Sequence, residues 1–180
     1  MLLLIKYLYK MNETFQRQTG CGFIKHGVAL LFFTTFVAGA GYMVALVDED
    51  TAVNQNKWRV AHTGSATHAV LTFALAAICP LLTLTESGWF TLSWAVPLLS
   101  WCNSIGYTLG AYTGHRGLTP VCMTLKSPVL LAICESGPPM NVVVNIVFVF
   151  AIFGLIATMW VVWQGASSSS SVEEKTIKKN

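Results

Sequence analysis

The fold is decided by VVVNIVFVFAIFGLIATMWVVWQG, residues 142–165, which contains no Asp, Glu, Lys or Arg. At about 1.5 Å per residue, a helix of this length covers the roughly 30 Å hydrocarbon core of a bilayer. A backbone in hydrocarbon must satisfy its own N–H and C=O groups, which a helix does within one segment. The stretch lacks the dyad alternation typical of a transmembrane β-strand. It therefore predicts a membrane-spanning helix.

Three further uncharged apolar stretches have the same properties: Gly27–Val47, Ala66–Leu84 and Trp89–Tyr112. The composition agrees, because 54% of the 180 residues are hydrophobic and only 11% are charged, against about 25% charged residues in soluble domains. So few charges cannot cover the surface of a water-soluble protein of this size. The sequence predicts an all-α integral membrane protein, a four-helix bundle whose four spans occupy residues 27–166.

The basic residues favour one orientation in the membrane. Because four spans put both tails on one side, seven basic residues on that side compete with four in the first and third loops. The positive-inside rule then predicts cytoplasmic termini, with residues 1–26 as a cytoplasmic tail and residues 167–180 as a disordered one. The net charge of +3 comes mostly from these tails, so no nucleic-acid surface is indicated.

The connections between the spans are unequal in length. The turn Thr85–Gly88 is short enough to make the second and third spans an antiparallel hairpin. The first loop is expected over Asp48–Gly64. The third, Thr113–Asn141, is rich in proline and partly apolar, which suggests that it lies on the membrane surface or re-enters it. A disulfide between Cys122 and Cys134 in that loop is possible but has no further support in the sequence.

Polar side chains at membrane depth are functional candidates, because burying them in hydrocarbon is costly. Ser93, Ser100, Asn103 and Tyr107 follow one another at steps of seven, three and four, so they share one face of the third span. Such a stripe also serves in membrane bundles to form hydrogen bonds between helices. The spacing alone leaves both interpretations open.

Two histidines open or enter the second span. His62 is expected near the membrane interface and His68 about two turns deeper. Six residues place the two side chains about 120° apart around a helix, so a zinc site built on both is not favoured. No nucleotide-binding loop, nucleophile elbow or zinc-protease motif occurs.

Four short motifs together resemble the styrene oxide isomerase family. They are Trp58-x-x-Ala61-His62-x-Gly64, Trp101-x-Asn103-x-x-x-Tyr107, Arg116-Gly117-Leu118-Thr119 and His26-Gly27. The resemblance covers about residues 25–165, with the spans in the same order. It implies a four-helix membrane enzyme that assembles as trimers, with haem b between neighbouring protomers.

The resemblance also implies a reaction and the residues that serve it. The family converts small hydrophobic aryl epoxides to aldehydes by the Meinwald rearrangement, in which ferric iron acts as a Lewis acid and a 1,2-hydride shift completes the product. His62 is then the axial haem ligand, and Trp58, Trp101 and Arg116 lie at the haem. Tyr107 points at the reacting oxygen and Asn103 supports the pocket. A dry membrane pocket would protect a cationic intermediate from water.

Two positions depart from the family pattern. Leu99 stands where the family has an acidic residue, and His68 stands where it has an asparagine. His68 could donate a hydrogen bond to the epoxide oxygen, act as a base, or become a sixth iron ligand. His68 and His115 therefore keep open a membrane b-type cytochrome for electron transfer, and a non-enzymatic tetraspan protein is the third interpretation.

Overall fold

The computed structural model describes residues 2–47, 52–113 and 138–177. They form five α-helices, a π turn and a short 3₁₀ turn, and no strand occurs in these ranges: α1 (Leu2–Phe33), the π turn Thr34–Ala38, α2 (Gly39–Val47), α3 (Ala52–Ile78), the 3₁₀ turn Cys79–Leu81, α4 (Glu86–Thr113) and α5 (Pro138–Ile177). Helix α1, the π turn and α2 follow one another without a break. The predicted all-α four-helix bundle is confirmed, with this continuous segment as its first member.

Three helical segments of the described chain are long and apolar enough to cross a membrane: Asn12–Val47, Gln55–Leu81 and Val142–Ser168. The prediction of a membrane protein is confirmed by these segments. Helix α4, which carries Ser93, Ser100 and Asn103, is not among them. The number of passes and the cytoplasmic location of the termini stay predictions.

Helix α4 is nevertheless the central helix of the bundle. It contacts α1, α3 and α5, and it carries a row of fully or nearly fully buried residues: Trp89, Leu92, Ala95, Val96, Leu99, Ser100 and Ser104. Large apolar side chains are exposed on the outer faces of the bundle, such as Phe36 on the first segment, Phe90 on α4, and Phe153 and Trp160 on α5. Ser93 of α4 is exposed, whereas Ser100 and Ser104 are sheltered by protein, which reduces the cost of placing them at membrane depth.

Close approach of backbones holds α5 against α4. A Cβ added at Gly154 would lie 2.7 Å from the Leu99 nitrogen and 2.8 Å from the Ala95 oxygen. Helices in lipid associate through packing at small residues, since lipid tails are as apolar as their side chains. Leu99, the position that departs from the family pattern, is therefore buried at the α4–α5 contact.

Two predicted boundaries of the second span differ from the structure. Helix α3 begins at Ala52, so His62 lies well inside a helix and not in a loop that ends at Gly64; no proline or glycine interrupts residues 52–63. The α3–α4 connection lies earlier than Thr85–Gly88, because α3 ends at Ile78, two residues before Pro80, and α4 starts at Glu86.

Helices also continue across both predicted tail boundaries, and the assignment of the two tails stays a prediction. Helix α1 runs through residue 26 without interruption, and α5 continues to Ile177 where the sequence predicts disorder from residue 167. The hydroxyls of Ser167 and Ser168 donate to the carbonyls of Trp163 and Gln164, both at 2.9 Å, and no proline follows to stop the helix. Of the predicted proline-rich loop Thr113–Asn141, residues 114–137 with Cys122 and Cys134 lie outside the described residues, whereas Thr113 ends α4 and Pro138 begins α5.

Candidate functional site

One ring nitrogen of His62 is hydrogen-bonded to the main chain of another helical segment. Its Nδ1 lies 3.2 Å from the main-chain oxygen of Thr34. A carbonyl can only accept a hydrogen bond, so this contact requires the proton on Nδ1 and leaves the lone pair of Nε2 available. The ring also stacks on Tyr42, with centroids 6.2 Å apart and planes 19° from parallel. This arrangement suits a metal-ligating histidine, whose second nitrogen typically donates to a carbonyl or carboxylate.

The partner carbonyl belongs to the π turn Thr34–Ala38. The Gly39 N–H also donates to the Thr34 oxygen, so one carbonyl serves two donors. A Cβ at Gly39 would lie 3.0 Å from that oxygen and 3.4 Å from His62 Nδ1. Glycine is therefore the residue that lets this turn and the histidine ring approach each other.

Small residues continue around this point. Ala38, Ala61 and Ala111 form a buried cluster, against which Trp58 and Tyr107 pack. The Trp58 ring lies on Gly41, where an added Cβ would overlap it. The cluster thus joins the π turn, helix α3 and helix α4. It places the predicted site residues Trp58 and Tyr107 against the cluster that contains Ala61, the residue before His62.

Tyr107 is held from three sides. Its ring covers Gly64, where a Cβ would come within 2.7 Å of Cδ2. Its centroid lies 6.2 Å from that of His68 and 5.4 Å from that of Phe148. Helix α3 therefore presents His68 to Tyr107, while it presents His62 to Thr34 and Tyr42 on the first segment. This agrees with the predicted angle between the two histidines.

Asn103 and Trp101 make different contacts. The Asn103 amide donates to the Leu99 carbonyl of its own helix at 2.9 Å. The Trp101 indole donates to Nδ1 of His26 at 3.3 Å and packs edge-on against Phe33, with centroids 5.8 Å apart. Trp101 thus lies beside the residue that precedes the π turn, and no contact in the described part of the chain joins it to His62. Arg116 and His115 lie outside the described residues.

Some buried polar atoms of the bundle have no hydrogen-bond partner. Among the described residues, four buried side-chain atoms have no hydrogen-bond partner: Thr34 Oγ1, Ser65 Oγ, His68 Nδ1 and Thr158 Oγ1. Buried polar atoms are nearly always paired in proteins, so each exception needs an explanation. Thr34 provides the carbonyl for His62, and Ser65 and His68 follow His62 on α3. Three of the four unpaired atoms therefore belong to His68 itself or to residues near the two histidines in sequence or contact, whereas Thr158 belongs to α5.

The polar stripe of α4 has a mixed outcome. Ser100 Oγ and Thr72 Oγ1 lie 3.0 Å apart and form a buried hydrogen bond between α4 and α3. Ser93 and Asn103 instead donate to carbonyls of α4 itself. One member of the stripe thus ties helices together, Tyr107 lies at the candidate site, and the others satisfy their own helix.

Thr34 and Tyr42 are contacts that the sequence gives no reason to select. Thr34 contributes a main-chain atom, and nothing in its residue type distinguishes it from Thr35. The available signal was the small-residue run Ala38-Gly39-Ala40-Gly41, which predicts close helix packing.

A protein-family model described as Styrene oxide isomerase matches residues 22–167. The matched range includes every predicted site residue, from Trp58 to Arg116. Searches of curated proteins and of solved structures returned no match.

Proposed function

Because the chain belongs to the styrene oxide isomerase family, we propose that it isomerises a small hydrophobic aryl epoxide to an aldehyde with the help of ferric haem b. The observation that carries this proposal is the state of His62, whose Nδ1 faces a carbonyl and whose Nε2 is free to bind iron. Family membership supplies the reaction class, and the geometry of this histidine supplies the attachment point.

The donor set fits a haem better than a bare metal ion. Within the described residues, no group of three or more His, Cys, Asp or Glu side chains lies close enough to hold a metal by itself. A haem iron already has four porphyrin nitrogens and can be held by a single histidine. His62 would hold it through Nε2, with Trp58, Trp101 and Arg116 proposed beside it.

When bound, ferric haem b supplies a Lewis acid that weakens the C–O bond of an epoxide. The residues of the chain do the rest. The Tyr107 phenol, fixed by Gly64 and Phe148, would donate a hydrogen bond to the oxygen as negative charge develops there. His68 lies beside that ring and would add a second polar contact in place of the family's asparagine.

The surrounding side chains suit a reaction that must exclude water. Aromatic rings of Trp58, Tyr107 and Phe148 line this part of the bundle, and their faces can stabilise positive charge at the arylated carbon. A hydride that moves from the neighbouring carbon completes the aldehyde, so atoms and electrons balance without a reductant. Water in the pocket would instead give a diol.

The chain would act as a trimer in a membrane, with the haem between protomers. His62 is only half-buried within one chain, and exposed apolar side chains stand two residues from it and two residues from its stacking partner Tyr42, namely Val60 and Val44. A second protomer that covers this face would complete the pocket. The trimer and the position of the haem are carried over from the family.

The test is turnover without oxygen or reductant. Purified full-length protein, supplied with haem in lipid nanodiscs, is incubated anaerobically with styrene oxide, and phenylacetaldehyde is measured. Haem in empty nanodiscs is the control. We expect aldehyde from the protein well above this control. Haem-loaded protein that converts none of several aryl and alkyl epoxides would contradict the proposal.

The alternative of a b-type cytochrome is separated by the spin state of the iron. An open coordination position, which epoxide binding needs, gives high-spin ferric iron. Two histidine ligands give low-spin iron. Because the described contacts of His62 and His68 lie on different sides of α3, we expect a high-spin electron paramagnetic resonance signal. A low-spin spectrum would favour electron transfer.

A further inference from the structure

We infer that the π turn Thr34–Ala38 orients His62 for the cofactor, because its Thr34 carbonyl fixes the proton on Nδ1 and makes Nε2 the ligating atom. This inference rests on the proposed function for the identity of the ligand. It goes further in assigning the orientation to a main-chain group on a different helical segment.

The geometry of the π turn leaves the Thr34 oxygen open to a second donor. In an α-helix each carbonyl accepts from the residue four positions later, whereas in a π turn the acceptor pairs with the residue five positions later. Here the Gly39 N–H donates to the Thr34 oxygen. The wider turn leaves that oxygen accessible to a donor from α3. A carbonyl oxygen has two lone pairs and can accept both bonds.

The π turn and the His62 ring fit each other closely. Gly39 leaves only the space that the Thr34 oxygen and the His62 ring require, since a Cβ there would lie 3.0 Å and 3.4 Å from them. Tyr42, one turn further along, stacks on the ring at a centroid distance of 6.2 Å. Hydrogen bond, glycine and stacking partner all come from the segment that contains the π turn.

The fixed orientation of the His62 ring favours iron binding. A histidine that can rotate or exchange tautomers loses part of its binding free energy when it is immobilised. A ring that is already held with Nδ1 protonated avoids that loss. Its hydrogen bond also makes Nε2 a stronger donor, and removal of such a partner typically weakens metal affinity about 10–100-fold.

The first experiment compares two glycine variants of the full-length haem-loaded protein. Gly39→Ala places a methyl group against the Thr34 oxygen and His62, whereas Gly22→Ala makes the same change on α1 where no atom lies within 4 Å of the new Cβ. We expect Gly39→Ala to weaken haem affinity about 10-fold or more and to lower the iron–histidine stretching frequency in resonance Raman spectra of the chemically reduced protein. Gly22→Ala should change neither. Equal spectra and affinities in all three proteins would overturn the inference.

The second experiment does not depend on haem or on how well Gly39→Ala folds. Nitrogen-15 spectra of histidine-labelled, haem-free full-length protein in nanodiscs report the tautomer of each ring, and His62→Gln identifies the His62 signals. We expect a protonated Nδ1 and an unprotonated Nε2. The opposite tautomer would overturn the inference. Protein that binds no haem but has the expected tautomer would overturn the proposed function and support the orientation by Thr34.

Discussion

The ring of Tyr107 on α4 lies against Gly64 on α3 so closely that a Cβ at Gly64 would stand 2.7 Å from its Cδ2. Gly64 follows His62 by two residues along the same helix. The contact therefore sets how near the phenol can come to the helix that carries the proposed iron ligand. It connects the residue proposed to act on the substrate oxygen with the residue proposed to hold the haem.

The variant Gly64→Ala tests this contact. An added methyl group must push the Tyr107 ring or separate the two helices, which typically costs about 1–3 kcal/mol in a packed core. We expect a lower unfolding temperature and reduced turnover, measured by thermal unfolding in nanodiscs and by aldehyde formation. The matched control is Gly22→Ala, which meets open space. Wild-type stability and turnover in Gly64→Ala would show that the contact is not tight.

Removal of the Tyr107 hydroxyl separates chemistry from packing. The variant Tyr107→Phe keeps the ring that covers Gly64 and contacts Phe148, so the unfolding temperature and the haem spectrum should stay unchanged. Loss of one hydrogen-bond donor to a developing oxyanion typically lowers kcat about 10²–10³-fold. Steady-state kinetics with styrene oxide measure this effect. An unchanged kcat would remove Tyr107 from the proposed mechanism.

The identity of the haem ligand is tested by two histidine variants. We expect His62→Gln to lose the Soret absorption of the purified protein, because glutamine offers no ring nitrogen to the iron. We expect His68→Gln to keep it, since His68 faces Tyr107 on a different side of α3. Thermal unfolding shows whether both variants are folded. The reverse result would assign the iron to His68.

The hydrogen bond between Thr72 and Ser100 should stabilise the α3–α4 contact by a modest amount. Both residues are fully buried and their hydroxyl oxygens lie 3.0 Å apart. A double-mutant cycle with Thr72→Val and Ser100→Ala should give a coupling free energy of about 0.6 kcal/mol and at most about 1.7 kcal/mol, as for such bonds in other membrane helices. A coupling near zero would mean that the bond between the two hydroxyls adds nothing to stability. The Thr72 hydroxyl would then be satisfied by the His68 carbonyl of its own helix, to which it also donates.

Much of the fold could be predicted from the sequence, because charge-free runs of sufficient length have few alternatives in a membrane. The stretch Val142–Gly165 and its counterparts identify the helices correctly. Their ends were harder to place. Helix α3 starts at Ala52, and its first turns are polar, with Arg59 donating to the Asn56 side-chain oxygen at 2.8 Å. Hydropathy alone marks only the apolar part of such a helix.

The candidate site was partly predictable for a different reason. Helical spacing correctly separated His62 from His68 and placed Tyr107 among the polar residues of α4. It could not identify Thr34, because a main-chain carbonyl has no signature in residue type. It also could not foresee the π turn, which depends on how the first segment packs against α3. Contacts between distant segments, such as Trp101 with His26, likewise require the assembled bundle.

The fate of deuterium in the product tests most directly whether the protein isomerises an epoxide by a 1,2-hydride shift. Styrene oxide with two deuterium atoms on the terminal carbon is incubated anaerobically with the haem-loaded protein in ordinary water, without reductant. We expect phenylacetaldehyde with one deuterium on the formyl carbon and one on the benzylic carbon, because the migrating hydride stays within the molecule. Diol as the sole product, or aldehyde whose migrating deuterium has been lost to water at its formation, would contradict it.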